Sequence, residues 1–190
     1  ILIADEVATG FGRCGKLFAS ELWEIKPDII CLGKGMTGGF ATMGAVLVTQ
    51  DIYQAGLSLP MYSTFGWLPQ DLSATRANVE VILRDELWKN SAQVGEYLLS
   101  QLKSLEEYDF VGQVRGVGLV IGIEIVKDKI DKQPDFKLAA KIQDACADLG
   151  LLVETAHNNL FISPPLILTK SEAEKGAEII KKAVSTSVSR

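Results

Sequence analysis

Three short, unbroken apolar runs most limit the folds open to this chain: residues 1–4, Ile29–Leu32 and Ala45–Val48, bounded by Gly, Pro and Asp. They are short and continuous enough to be strands covered on both faces, as in a mainly parallel sheet, so the expected fold class is α/β. In open α/β sheets ligands gather beyond the carboxyl ends of strands. Asp5 and Lys34 both fall just after such runs.

The rest of the chain reads as helices and a second, smaller sheet. A helix that links two domains is expected over 71–89, where Leu72, Thr75, Val79, Ile82 and Leu87 recur near helical spacing. A helix around Val94, Leu98, Leu102 and Leu105 follows, then an alternating strand through Val117, Leu119, Ile121, Ile123 and Ile125. The next helix carries Leu138, Ile142, Cys146 and Leu149 and closes at Gly150, with short strands near 151–153 and 160–162. Thr169-Lys170-Ser171-Glu172 is a capping-box pattern that opens a last helix with Ala173, Ala177, Ile180 and Val184 on one face. The serine-rich end from Ser185 is expected to fray. Residues 1–89 are thus expected to form one domain with its linking helix, and 90–190 a small α+β domain.

Composition excludes several classes of function. With 47% hydrophobic and 23% charged residues over 190 positions, the chain has the makings of a buried core rather than of disorder. A net charge of -5 without clustered Lys and Arg argues against nucleic acid as a partner. Cys14, Cys31 and Cys146 are odd in number and lack a C-x-x-C spacing, so they read as reduced thiols and suggest neither disulfides nor a metal site. No apolar stretch approaches the roughly 18 residues of a membrane helix, and a cytoplasmic location is expected. The sequence opens inside a strand, Ile1-Leu2-Ile3-Ala4-Asp5, with no Met and no leader, which suggests a fragment.

The chemistry concentrates in Asp5-Glu6-Val7-Ala8-Thr9-Gly10-Phe11-Gly12-Arg13, in Pro27-Asp28-Ile29-Ile30-Cys31-Leu32-Gly33-Lys34-Gly35 and in Gly38-Gly39. A carboxylate at a strand end can hydrogen-bond a protonated ring nitrogen, each charge favouring the other. On composition alone Asp5 reads as a helix N-cap or a turn acid after a strand. A lysine between two glycines has room for a planar group beside it, while Gly33-Lys34-Gly35 alone reads equally as a solvated or phosphate-binding loop. Together these segments resemble the signature of the class III aminotransferases of omega-amino-acid type. The resemblance implies a fold type I pyridoxal-phosphate-dependent transferase: part of the large, mainly parallel-sheet domain, then the small α+β C-terminal domain.

It further implies that Lys34 holds pyridoxal phosphate as a Schiff base, that Asp5 bonds the ring nitrogen and that Val7 packs on one ring face, where the residue alone reads as a core valine. Tyr62-Ser63-Thr64-Phe65-Gly66 resembles the family segment whose threonine reaches the cofactor phosphate of the neighbouring subunit. By that likeness Thr64 serves a shared site in a homodimer; otherwise the segment is a turn before a helix. Trp67 lies near enough in sequence to line a substrate pocket, Glu6 and Arg13 are expected to form structural ion pairs, and His157 reads as a surface loop residue. Arg115-Gly116-Val117-Gly118-Leu119 and Ser163-Pro164-Pro165-Leu166 match the family's small domain.

Two positions depart from the pattern. Ala8 stands where the family frequently has Gln, and Phe161 stands three residues before Pro164, where relatives that clamp an α-carboxylate carry Arg. A phenyl ring cannot clamp a carboxylate, so the implied reaction moves an amino group from an amine or omega-amino acid to a ketoacid. Aminomutases and decarboxylases of the same superfamily would keep the same Asp and Lys. The resemblance covers only the later part of a family chain; the other phosphate loop and the ring-stacking aromatic would lie upstream, so a catalytically incompetent fragment is a third reading.

Overall fold

Ile3–Asp5 (β1), Ile29–Leu32 (β2) and Ala45–Val48 (β3) form one sheet in the order β1-β2-β3. The structure is a computed structural model that describes residues 1–60, 62–64 and 66–187, so Phe65 of the 62–66 motif lies outside the described residues. β1 and β2 pair in parallel with Asp5 opposite Cys31, whereas β2 and β3 run antiparallel with Leu32 opposite Ala45. The third run is therefore a strand, but it returns against the other two. A parallel return needs a crossover, usually helical, and the 33–44 connection is occupied by a tight turn at Lys34–Met36 and the bend at Gly38-Gly39. Nor are all three strands covered on both faces: Val46 is 63% and Leu47 51% exposed.

The chain divides into two compact units, Ile1–Lys89 and Asn90–Arg190. In the first, helices α1 (Gln50–Gly56) and α2 (Pro69–Arg84) follow the sheet. Proline suits the first position of α2, because a helix's first N–H has no intrahelical partner. Ile82 of α2 packs with Phe11, Leu32 and Met36 into a small core. The single helix expected over 71–89 is broken. Asp85 caps α2, Glu86 takes the left-handed conformation (φ +47°), and α3 (Leu87–Leu102) starts anew.

The second unit is an antiparallel sheet in the order β4-β5-β7-β6, formed by Val111–Val117 (β4), Val120–Ile125 (β5), Glu154–Ala156 (β6) and Asn159–Ile162 (β7). The expected strand through Val117 and Leu119 is a hairpin, turned at Gly118 (φ +53°) between the paired Val117 and Val120. Only the Ile121, Ile123, Ile125 alternation belongs to one strand, and all three are fully buried. They pack with Leu102, Ile142 and Ile180 in the main core.

α4 (Phe136–Asp148) ends in a closure in which Gly150 is left-handed (φ +86°) and the N–H of Leu151 bonds to Cys146 O at 2.9 Å. Closing the helix engages the chain just after it, and the amide of Gln143 bonds Val153 O at 3.0 Å, so the strand expected at 151–153 begins only at Glu154. α5 (Lys170–Ser187) opens with the capping box: Thr169 donates to Glu172 Oε2 through both its N–H (2.9 Å) and its hydroxyl (2.7 Å). Of the end expected to fray, 185–187 are helical, and 188–190 lie outside the described residues. The helix runs to Ser187, whose hydroxyl donates to Ala183 O at 2.7 Å and whose carbonyl accepts the ammonium of Lys141.

α3 meets the β4–β5 hairpin at backbone distance. A Cβ on Gly95 would stand 2.0 Å from Gly118 O, and Ser91, one turn earlier, accepts the N–H of Leu119 at 3.1 Å. Among the described residues no helix is long and apolar enough to cross a membrane.

Candidate active site

The parallel register of β1 and β2 brings two loops to one sheet edge. Asp5 ends β1 opposite Cys31, and Glu6 extends the ladder by donating its N–H to Cys31 O at 2.9 Å. Lys34 follows β2 at the same carboxyl edge. The carboxylate of Asp5 is exposed and accepts the N–H of Val7 at 3.0 Å through Oδ1, a bond that tightens the turn after the strand. Val7 Cγ1 lies 3.4 Å from where a Cβ on Gly33 would stand, and Phe11 Cβ lies 3.4 Å from the same point on Gly35. These are ordinary contact distances, so Val7 packs beside Gly33 and Phe11 beside Gly35 on the two flanks of Lys34.

Lys34 is exposed and holds φ +40°, a left-handed conformation that costs a non-glycine residue about 1–3 kcal/mol unless its surroundings fix it. Those surroundings are specific. Lys34 O accepts the N–H of Thr37 at 3.2 Å and its hydroxyl at 3.3 Å. From α2, the amide of Asn78 donates to Gly35 O at 2.9 Å and to Met36 O at 3.0 Å. The next turn of the loop is left-handed at Gly38 (φ +60°), where a Cβ would stand 2.4 Å from Asn78 Oδ1.

Glu6 turns inward, 2% exposed, and braces the other loop. It was expected in an ion pair, but its carboxylate is held by neutral donors: the Thr9 hydroxyl, Ala19 N–H at 3.0 Å and Ser20 N–H at 2.7 Å. Burial pushes its pKa up, and these hydrogen bonds outweigh burial and hold it below the ordinary carboxylate value. Burial and the nearby Glu6 raise the Cys14 thiol, and burial lowers the half-buried Arg13 guanidinium.

The structure therefore places Asp5 and Val7 on the loop after β1 and Lys34 on the loop after β2, at one sheet edge and with Val7 beside Gly33. Thr64 sits apart from the contacts described among these residues, exposed and at a turn position, and Trp67 is 81% exposed with φ +70°. In the second unit, Phe161 lies on β7 between Gly122 and Glu154 and borders an apolar pocket of about 590 Å³ with Leu98, Leu152, Pro164 and Pro165. His157 is an exposed turn residue between β6 and β7.

Sequence reasoning missed Asn78 and the bracing role of Glu6. A signal existed for Asn78: it lies on the helical stripe of Thr75, Val79 and Ile82, where a short amide on an inward face needs hydrogen-bond partners.

The model of the family described as Aminotransferase class-III matches residues 1–184. The chain belongs to this family. Among its class III relatives, the alanine/serine racemase of Pyrococcus horikoshii is 39% identical over 190 residues, covering 97% of this chain and 39% of its own length. The human mitochondrial alanine–glyoxylate aminotransferase 2 is 37% identical, with 100% of this chain and 38% of that protein aligned. The crystal structure of an amine transaminase from an uncultivated Pseudomonas species, in its pyridoxal-phosphate-bound form, superposes with a TM-score of 0.94 at 37% identity, over 98% of this chain and 45% of that one. This class III chain thus has the α/β architecture of the fold type I transferases and spans less than half the length of these relatives.

Proposed function

We propose that this chain supplies the lysine loop and the small domain of a pyridoxal-phosphate-dependent aminotransferase. The observation that carries the reading is the meeting of Asp5, Val7 and Lys34 at one sheet edge. The residues fit such a cofactor: the edge offers an exposed carboxylate, an exposed amine and the side-chain-free flanks of Gly33 and Gly35. When bound, pyridoxal phosphate supplies an electron sink for the carbanion left as a substrate C–H bond breaks.

Each residue's task follows from its position. Lys34 would hold the cofactor covalently through its amine, and the same amine, when free, would serve as the base and acid that moves the substrate's proton. Asp5 accepts a hydrogen bond from the protonated ring nitrogen and, being charged, keeps that proton in place. Val7 offers an apolar contact to the ring face. Thr64 reaches the phosphate of a neighbouring subunit with its hydroxyl, which makes the working enzyme a homodimer.

In this reading the first unit belongs to the large cofactor-binding domain and the second is the small C-terminal domain. Phe161, in place of a carboxylate clamp, favours an amine or omega-amino acid as donor and a ketoacid as acceptor. Three free cysteines agree with a reducing, cytoplasmic setting.

The test is attachment. Incubation with pyridoxal phosphate, borohydride reduction and peptide mapping should place the adduct on Lys34; an adduct on Lys16 or Lys26 instead would sink the assignment. The likeness to a racemase favours one alternative, in which the same residues move a proton without transferring nitrogen. Product analysis of the enzyme with a ketoacid acceptor separates the two, and separates transfer from aminomutase or decarboxylase chemistry.

A further inference from the structure

Lys34 holds a backbone conformation that its own loop does not secure. The bonds inside the loop, Met36 N–H to Gly33 O at 3.0 Å and Thr37 N–H and hydroxyl to Lys34 O, move with the loop if it moves. The bonds from Asn78 do not. They come from α2, more than forty residues away, and end on the two carbonyls that directly follow Lys34. The anchor is firm, because Ile82, one turn along α2, is buried against Leu32 and Met36 on either side of the lysine turn.

The same side chain closes the loop's far end. Asn78 Oδ1 lies 2.4 Å from where a Cβ on Gly38 would stand, so one amide spans the stretch that follows Lys34, from Gly35 to Gly38. Its orientation is fixed by chemistry, since backbone carbonyls only accept and the amide nitrogen must face them.

We propose that Asn78 is a positioning residue for Lys34: it clamps the carbonyls of Gly35 and Met36 so that Lys34 keeps its left-handed backbone and presents its amine beyond the strand ends. The proposal rests on Lys34 being the cofactor-bearing lysine. Asn78→Asp has the same shape but turns an acceptor toward two acceptors, and Asn78→Ala removes the clamp without repulsion.

The experiment labels the unsubstituted chain and both variants with pyridoxal phosphate, reduces with borohydride and reads the ratio of Lys34 to Lys16 adduct in each sample. Melting curves confirm that each variant is folded. In folded N78D the ratio should fall about tenfold or more, with N78A between it and the unsubstituted chain. A general loss of stability would not change a ratio taken within one folded sample. An unchanged ratio in both variants overturns the proposal. If the unsubstituted chain shows no preference for Lys34, the cofactor reading falls instead. The clamp is then decided by amide hydrogen exchange at Met36 and Thr37: faster exchange in N78D supports it, and equal exchange overturns it.

Discussion

The backbone N–H of Ser20 donates to Glu6 Oε1 at 2.7 Å, tying the residue after Asp5 to a turn fourteen positions on. Because the hydrogen bonds hold the Glu6 pKa below its ordinary value, its charge stabilises the fold above the unfolded-state pKa of about 4.3. That contribution is lost as pH falls through the lower, folded-state value. Glu6→Gln should lower the melting temperature at neutral pH, since it presents an amide to donors, and should flatten the loss of stability on acidification. Parallel melting curves across the acid range for both proteins would show instead that Glu6 contributes nothing to acid sensitivity.

Asp5→Asn should leave the fold intact, because Asp5 is exposed and an amide oxygen can still accept the Val7 N–H. Its charge is lost, and with it the hold on a ring proton. In the working enzyme kcat should drop by about a hundredfold or more while KM changes little. Steady-state kinetics with near-normal kcat would remove Asp5 from the mechanism.

Asn158 is buried in the turn before β7, where its amide donates to Ile125 O at 2.7 Å while its own carbonyl accepts Ile125 N–H at 2.8 Å. Asn158→Ala should destabilise the second unit by about 0.5–1.5 kcal/mol, the net worth of one hydrogen bond, because Ile125 O keeps the N–H of Asp135 at 3.2 Å. Urea unfolding followed by circular dichroism measures it.

Burial pushes the Cys146 thiol up to about 11, whereas Cys31 is only partly buried. Since the thiolate is the reactive form, Cys146 should resist iodoacetamide at neutral pH in the folded protein while Cys31 reacts first. Timed alkylation with peptide mapping gives the order, and early modification of Cys146 would contradict its place in the core.

What could be read from the sequence was what depends on neighbours along the chain. Thr169 and Glu172 lie three apart and form their capping box without outside help, and Asp5 and Lys34 are marked by the strand ends beside them. The direction of β3 depended on how the 33–44 connection folds back, which no single position announces. The break between α2 and α3 is carried by Glu86, a left-handed residue without the Gly or Asn that usually signals one. Asn78 escaped notice for a related reason: its partners are more than forty residues away.

The contact of Gly95 with Gly118 sets a limit on how this unit can diverge. Gly118 is held by its φ of +53° and Gly95 by lack of space, each for its own reason, yet neither can be relieved by altering the other. A methyl at position 95 has no flexible end to swing aside and would meet a carbonyl fixed in a two-residue hairpin. Descendants of this fold could enlarge position 95 only after the hairpin itself had lengthened, so the order of changes is constrained as well as the residues.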